Sequence, residues 1–361
     1  MAQPDHEEIK RKLRPGRIIL PVLIGLAVVS WLIFKEIDTA ALSHLIFRWK
    51  SIFWISVAFV FLISEIFFYM WRIRELCDKD ISWIQSFRVI MLWEFTSAIS
   101  PSTVGGTAVA VVFLNKEGIS VGRSTSIILL TSFLDELYFV IMFPILLVFI
   151  GGRELFITSI NNTGTSLMNN LIMFAIIGYL IILTWVVLVG YGLFFKPESI
   201  KKIITGFFRL PFVRRWKEAA ERAGDDIVQS SREIKSKKAG FWTKAIFSTF
   251  LCWTSRYLII NAILTAFFVF KEHILLFARQ LVLWIMMIIS PTPGGSGFAE
   301  IILGKYISDL IPADPEVAGS ISLAMAVMWR TVSYYPFLIA GALMVPAWIQ
   351  RKFIPVIVKK K

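Results

Sequence analysis

The feature that most limits the fold of this chain is a series of long apolar segments, each close to the length that crosses a bilayer. A helix needs about 20 predominantly apolar residues to span the hydrocarbon core. Segments that approach or exceed this length lie at residues 18–34, 51–71, 124–150, 171–195, 243–270 and 317–349. Since 57% of the residues are hydrophobic and only 17% are charged, the sequence predicts an all-α polytopic membrane protein with six full transmembrane helices.

Two further apolar segments, 83–114 and 274–310, are interrupted near their middle. The first break, residues 99–107, reads Ile-Ser-Pro-Ser-Thr-Val-Gly-Gly-Thr, and the second break, residues 289–300, reads Ile-Ser-Pro-Thr-Pro-Gly-Gly-Ser-Gly-Phe-Ala-Glu. Proline removes a backbone donor and glycine weakens a helix, and irregular backbone at membrane depth must be packed in protein or line a wet cavity. Each half is too short to span the membrane comfortably, so both segments are predicted to be re-entrant hairpins of two half-helices.

The distribution of Lys and Arg predicts the orientation. With the amino terminus inside and both interrupted segments treated as hairpins, most of the 38 Lys and Arg residues fall on the cytoplasmic side, in agreement with the positive-inside rule. The predicted organisation is a cytoplasmic tail (1–17), a first membrane repeat (18–150), an external loop (151–170), a second membrane repeat (171–349) containing a basic cytoplasmic loop (196–242), and a cytoplasmic basic tail (350–361). For the basic loop two interpretations stay open, an interfacial helix on the cytoplasmic leaflet and a solvated linker.

Composition also excludes several classes of function. The net charge of +13 is attributed to the cytoplasmic loops and to contact with anionic lipid rather than to nucleic acid, because no soluble basic domain is present. Cys77 and Cys252 are isolated thiols and the three His residues are scattered, so neither a disulfide framework nor a metal centre nor a cofactor is predicted. No phosphate-binding loop of the Gly-x-x-x-x-Gly-Lys-Ser/Thr type occurs, so any transport is expected to be downhill or coupled to an ion.

The two halves of the chain match when Pro101 is aligned with Pro291. Intramembrane charges then fall at similar places in both halves: Glu65 with Arg256, Arg88 with Arg279, and the Asp135-Glu136 pair with Arg330. Because the first unit begins inside and the second begins outside, the halves are predicted to be inverted repeats. Secondary transporters of this build bind substrate near the bilayer midplane, between the repeats.

The two breaks together form the predicted binding site. If the hairpins enter from opposite faces, the second half-helix of each begins just after its glycines, at about Thr107 and Gly297. Free N–H groups at both helix amino termini then favour an anion near the midplane. The predicted substrate-binding residues are hydroxyl and glycine positions of the breaks and two arginines: Ser100, Thr103, Gly105, Gly106, Thr107, Ser290, Gly294, Gly295, Ser296, Gly297, Arg256 and Arg330.

Five intramembrane carboxylates accompany these arginines: Glu65, Glu94, Asp135, Glu136 and Glu300. An ionised side chain at the bilayer centre costs about 2.5 to 3.5 kcal/mol even on a lenient scale, so each should meet a partner or a wet cavity. One interpretation is structural, with Arg256 paired to Glu65 and Arg330 paired to Asp135 or Glu136.

The other interpretation assigns the carboxylates to gating or proton coupling while the arginines receive a phosphate. Asp135 and Glu136 are adjacent, and at most one of them is expected to face the cavity. Glu94 and Glu300 lie nearer the breaks and are the stronger candidates.

These motifs resemble the lysylphosphatidylglycerol synthase transmembrane-region family, also called the flippase-like domain family. The resemblance rests on residues 290–300, on 100–107 followed by Lys-Glu-Gly-Ile at 116–119, and on Arg330 in the final helix, and it covers nearly the whole chain. It implies a bacterial or archaeal inner-membrane protein, with both termini in the cytoplasm here, that handles a lipid with a charged head group. In fused members a soluble aminoacyl-transferase domain follows; this chain ends at Lys361, and we do not expect synthase activity.

The leading hypothesis is therefore a lipid flippase or scramblase, not an enzyme, that passes an anionic or zwitterionic head group between the repeats. An ion-coupled transporter of a small anion or amino acid would use the same architecture. An intramembrane enzyme with Glu300 or Asp135 as base lacks a recognisable nucleophile and base. A non-transporting partner of an envelope-lipid biosynthetic enzyme, and a homo-oligomer, stay open.

Overall fold

The computed structural model describes residues 45–100, 103–156, 165–207, 217–287 and 295–353. This part of the chain is all α-helical and contains no strand. Five helical stretches within it are long and apolar enough to cross a membrane: Trp49–Leu76, Val121–Ile150, Ala175–Phe194, Ala239–Phe267 and Val317–Trp348. The prediction of an all-α polytopic membrane protein is confirmed; the apolar run at 18–34 and the tail at 1–17 lie outside the described residues.

The described helices follow one another with short connections. They are α1 (Trp49–Leu76), α2 (Trp83–Ile99), α3 (Thr103–Lys116), α4 (Val121–Ile150), α5 (Gly152–Phe156), α6 (Thr165–Phe194), α7 (Pro197–Phe207), α8 (Lys217–Lys235), α9 (Ala239–Phe267), α10 (His273–Met287), α11 (Phe298–Ile307), α12 (Pro315–Ser333) and α13 (Tyr335–Phe353), with a 3₁₀ turn at Ser308–Leu310.

Helices α1 and α9 pack antiparallel along their length and form the centre of the molecule. At one end the Ser51 hydroxyl donates to the Ala266 carbonyl at 2.9 Å, and at the other the Lys244 ammonium lies 3.5 Å from the Glu75 carboxylate. These two helices occupy equivalent places in the two halves of the sequence. Their antiparallel contact is the arrangement expected of inverted repeats.

Each interrupted segment forms two helices that reverse direction. The Arg88 guanidinium, near the start of α2, lies 3.3 Å from the Glu117 carboxylate, just after the end of α3. In the second segment Arg279 of α10 donates to both carboxylate oxygens of Asp309, at 2.7 and 2.9 Å, just after α11. The beginning and end of each segment are thus at the same end of the pair, as in a hairpin. Their re-entrance into a membrane stays a prediction.

The last apolar stretch is divided in two. The apolar run at 317–349 predicts one helix, but α12 ends at Ser333 and α13 begins at Tyr335. Tyr334 between them has φ −128° and ψ −51°. Pro336 explains the break, because a proline cannot donate to the carbonyl four residues earlier and its ring clashes there.

The predicted loops contain more structure than a linker requires. In the basic loop, α7 and α8 pack on each other, and α8 packs on the start of α4; Ile227 and Ile234 of α8 are buried. A Cβ at Gly122 of α4 would lie 2.0 Å from the Asp226 Cβ, so this contact requires a glycine. In the loop that is predicted to be external, α5 buries Leu155 and Phe156. Residues 157–164 and 208–216 lie outside the described part of the chain.

Candidate functional site

The two breaks are joined through one side chain, the Tyr334 hydroxyl. It donates to the carbonyl of Ala98, the last buried residue before the first break, at 2.8 Å. It also accepts a hydrogen bond from the hydroxyl of Ser296, in the second break, at 3.2 Å. Tyr334 and Ser296 are both buried. We call this pair of hydrogen bonds the tyrosine latch.

Arg330 lies beside the latch and is held by Glu300. Its Nε donates to one oxygen of the Glu300 carboxylate at 3.1 Å, and the other oxygen accepts from the backbone N–H of Gly297 at 2.7 Å. The arginine side chain is 8% exposed and the glutamate side chain is fully buried. The guanidinium carbon also lies 4.2 Å from the centre of the Tyr334 ring. The pairing of Arg330 with Asp135 or Glu136 is therefore wrong; its partner is the carboxylate in its own half of the chain.

Glu300 reaches this position because the second break ends in a tight turn. Gly295 and Gly297 have φ of +69° and +82°, a conformation that side chains rarely adopt. A Cβ at Gly295 would lie 1.9 Å from the Met287 Cε and 3.6 Å from an Arg330 nitrogen. Gly297 is the N-cap of α11, so the predicted start of this half-helix is observed. The glycines thus let the backbone pass between α10 and Arg330.

The first break is built differently. The sequence analysis places the start of its second half-helix at about Thr107, whereas α3 begins at Thr103 and includes Gly105 and Gly106 in its first turns. A Cβ at Gly106 would lie 2.8 Å from the Cα of Ser97, so this glycine serves close packing of α3 on α2 rather than the turn itself.

The remaining predicted positions of the two breaks are distributed as follows. Ser100 is the C-cap of α2, with extended backbone, and Thr107 is partly buried. Ser290 and Gly294 lie outside the described residues.

Arg256 of α9 is shared by two carboxylates. Its Nε lies 2.8 Å from an oxygen of Glu65 in α1, and its Nη2 donates to an oxygen of Glu94 in α2 at 2.9 Å. Glu65 is fully buried, while the side chains of Arg256 and Glu94 are 17% and 18% exposed. The predicted contact between Arg256 and Glu65 is present, and Glu94 is added to it. We call these three residues the acidic triad.

Asp135 of α4 has a different partner, Arg72 of α1. The guanidinium of Arg72 donates to both carboxylate oxygens, at 2.5 and 3.1 Å, and to the Thr249 hydroxyl at 3.0 Å. The Trp253 indole donates to the same carboxylate at 2.7 Å. Glu136, the neighbour of Asp135, has one buried carboxylate oxygen without a hydrogen-bond partner among the described residues. Only Asp135 of the two joins this network.

The predicted membrane segment ends at residue 71, but the helix continues to Leu76 and the side chain of Arg72 is fully buried. The sequence signal for the burial of Arg72 is the periodicity of one helical face. Glu65, Tyr69, Arg72 and Leu76 recur at spacings of four and three residues, and all four are buried on one side of α1. The apolar run ends at Trp71, but the helix and its buried face continue.

Tyr334 was also missed, as a core aromatic with nothing to distinguish it in the sequence. Its nearest signal is Pro336, which predicts a break in the helix at that point.

No group of three or more His, Cys, Asp or Glu side chains in the described ranges is arranged to hold a metal ion. The structure places each of two arginines, Arg256 and Arg330, against a fully buried glutamate, and hydroxyls and a helix amino terminus lie close to Arg330. Such groups bind an anion, and an arginine fork suits a phosphate or carboxylate in particular.

Comparison with known proteins identifies the family of this chain. The family model described as "Lysylphosphatidylglycerol synthase TM region" matches residues 18–341. A protein of Archaeoglobus fulgidus described as a "UPF0104 membrane protein" is 25% identical over 350 residues, which cover 93% of this chain and 98% of that protein. No solved structure matched the chain.

Proposed function

Because this chain belongs to the family of the lysylphosphatidylglycerol synthase TM region, we propose that it is a lipid flippase or scramblase of the inner membrane. In this proposal the protein passes a charged, phosphate-bearing head group through a cavity between the inverted repeats, while the acyl chains stay in the bilayer. Both termini are on the cytoplasmic side. The proposal includes no covalent step on the lipid.

The observation that carries the proposal is the position of Arg330. It lies next to the tyrosine latch, where Ala98 before the first break and Ser296 in the second are joined. A guanidinium presents planar, paired donors that fit phosphate oxygens. Its present partner, Glu300, also accepts from the amino-terminal N–H of α11, so an arriving phosphate finds a cation and a helix amino terminus together.

If a phosphate replaces Glu300 as the partner of Arg330, the charged head group is paired with a cation while it crosses the membrane. A phosphate that replaces the Glu300 carboxylate on Arg330 leaves that arginine paired, while Glu300 keeps only its hydrogen bond to Gly297 and bears the cost of losing its cation. A single ionised group at the bilayer centre costs about 2.5 to 3.5 kcal/mol even on a lenient scale. A resident arginine avoids that cost for the phosphate during transfer.

The latch supplies the closed state of such a path. Two hydrogen bonds through Tyr334 hold the breaks together, and the residue lies at the junction of α12 and α13, where the helix is already interrupted. Rotation about this junction separates the breaks without unfolding either helix.

The test is lipid movement in vesicles that contain only this protein. Proteoliposomes with fluorescent phospholipids of several head groups are treated with a membrane-impermeant quencher, and the fraction that reaches the outer leaflet is followed in time. Wild type should exceed empty vesicles for at least one phosphate-bearing lipid, and Arg330→Ala should fall to the empty-vesicle rate.

Arg232→Ala is the matched control, because Arg232 is 71% exposed on α8 and pairs with Glu198 far from the breaks. It should keep the wild-type rate. If wild type equals empty vesicles across the whole lipid panel, the proposed function is wrong.

A further inference from the structure

The acidic triad carries one more acid than base. Arg256 is the single cation between Glu65 and Glu94, which it contacts at 2.8 and 2.9 Å. With both carboxyls ionised the triad has a net charge of −1, held between α1, α2 and α9. One oxygen of Glu65, Oε2, is buried and has no hydrogen-bond partner in the described part of the chain.

Among the residues that the structure describes, the groups around the triad do not supply the missing positive charge. On α1, Tyr69 is neutral, and Arg72 is paired with Asp135 of α4 through two hydrogen bonds. On α9, Cys252 donates to the Glu65 backbone carbonyl at 3.6 Å, and Tyr257 is neutral. The remaining charged groups nearby do not balance the triad either: Glu136 of α4 is a further acid, and Arg330 of α12 is paired with Glu300.

An unbalanced carboxylate in an apolar interior is costly, and such groups take up a proton or a cation instead. A proton on either carboxyl makes the triad neutral. A sodium ion would need several further oxygen ligands, whereas the α9 groups that contact Glu65 and Arg256 are the Cys252 thiol and the Trp253 indole. The geometry therefore favours a proton.

We propose that Glu65 and Glu94 form a proton-binding site that couples movement of the lipid head group to a proton. This rests on the proposed function. In the deprotonated state Arg256 is held by two carboxylates, and the net negative charge repels an anionic head group. When one carboxyl binds a proton, an O–H bond forms, the net charge of the triad becomes zero, and the triad no longer repels the head group. The proton and the head group then bind together and are released together, and no bond in the lipid breaks.

Glu94 is the residue through which the proton exchanges with water. It is 18% exposed and lies on the helix that leads into the first break, whereas Glu65 is fully enclosed. Arg256 connects the two carboxyls, so a change at Glu94 alters the charge that Glu65 faces.

The experiment measures lipid movement in proteoliposomes with and without an imposed pH gradient, with a pH-sensitive dye inside the vesicles. For wild type, the rate in the range below saturation should change by up to about tenfold per pH unit, as for binding of one proton, and dye and lipid signals should move together. Glu94→Gln fixes that carboxyl in a neutral form, so lipid should still move but without dependence on the gradient.

Glu75→Gln is the control on the same helix as Glu65, at a carboxylate paired with Lys244 at the helix end; it should keep the gradient dependence. If Glu65→Gln does not fold, Glu94→Gln alone decides the result. If the wild-type rate of lipid movement does not depend on the pH gradient, or depends on sodium instead, the proton-site proposal is wrong and the flippase proposal is unaffected.

A second measurement does not depend on lipid movement. Infrared difference spectra of the purified protein between acidic and alkaline buffer should contain a protonated-carboxyl band that weakens in Glu65→Gln and Glu94→Gln but not in Glu75→Gln. If wild type moves no lipid, the flippase proposal fails, and the presence or absence of this band still decides whether the triad binds a proton.

Discussion

Removal of the Tyr334 hydroxyl tests whether the tyrosine latch is a gate or a structural contact. Only a gate predicts that the rate of lipid movement rises. Tyr334→Phe removes the hydroxyl that donates to Ala98 and accepts from Ser296, while the ring that lies 4.2 Å from the Arg330 guanidinium stays. The substitution therefore deletes the two hydrogen bonds and little else. If the latch closes the path, its loss destabilises the closed state and lipid moves faster.

The size of the effect follows from those two hydrogen bonds. A side-chain hydrogen bond in a membrane protein contributes about 0.6 kcal/mol on average. Loss of both therefore costs the closed state about 1.2 kcal/mol, which corresponds to a roughly eightfold higher rate of opening. Ser296→Ala removes only one of them, so about a threefold increase is expected. The double variant should not exceed Tyr334→Phe by itself, because the two changes share one hydroxyl.

The assay is the same quenching measurement on proteoliposomes, combined with thermal unfolding in detergent. Tyr335→Phe is the control: it is the neighbouring tyrosine, and its hydroxyl is buried without a hydrogen-bond partner among the described residues. Its rate should match wild type. If Tyr334→Phe lowers or does not change the rate of lipid movement while it lowers the melting temperature, the latch is a structural contact and not a gate.

Three further predictions concern stability and reactivity. Asp135→Asn leaves Arg72 buried without its carboxylate. We therefore expect the free energy of unfolding, measured by denaturation in detergent, to fall by about 3 to 5 kcal/mol. A loss under about 1 kcal/mol would contradict a buried ion pair. Gly106→Ala should destabilise the protein because the new Cβ meets the backbone of α2 at 2.8 Å, whereas Gly240→Ala, with nothing within 4 Å, should change stability by less than about 1 kcal/mol; equal effects of the two would refute the close contact. Burial raises the pKa of the Cys77 thiol to about 12, so little thiolate exists at neutral pH. Labelling by a polar maleimide, detected by mass spectrometry, should therefore be slow, and its rate should rise about tenfold per pH unit. Rapid labelling at neutral pH would refute that environment.

Sequence reasoning located the apolar runs and both breaks, because chain composition over about 20 residues is sufficient to recognise a membrane span. It also paired Glu65 with Arg256, intramembrane charges that fall at similar places when Pro101 is aligned with Pro291. The end of a helix is harder to place. Arg72 follows the last residue of an apolar run, and its burial depends on the helix continuing to Leu76, which composition does not specify.

The partner of Arg330 could not be derived from sequence either. Glu300 and the Asp135-Glu136 pair were each possible from charge alone. The choice depends on how the second break folds, with two glycines at positive φ that bring the amino end of α11 beside Arg330. Tertiary packing, not local pattern, decides such a contact.

The charges of the two repeats sort into pairs that symmetry explains and pairs that it does not. Glu65 and Arg256 fall at nearly equivalent places in the two halves of the sequence, on helices α1 and α9 that pack on each other, where two like charges would repel each other, so the sign reverses between the halves. Arg88 and Arg279 are also equivalent but keep the same sign, because each pairs within its own hairpin, with Glu117 and with Asp309.

The pair of Arg330 with Glu300 has no such counterpart. When Pro101 is aligned with Pro291, Ala110 stands where the second half has Glu300, and Val140 stands where it has Arg330. Symmetric packing of the repeats therefore accounts for the Glu65–Arg256 contact without any substrate, but it does not require a buried charge at Arg330. A buried ion pair is weak evidence for stability, since apolar residues of similar size often stabilise a protein as well or better. The asymmetric pair beside the latch is for this reason the one that we assign to the head group.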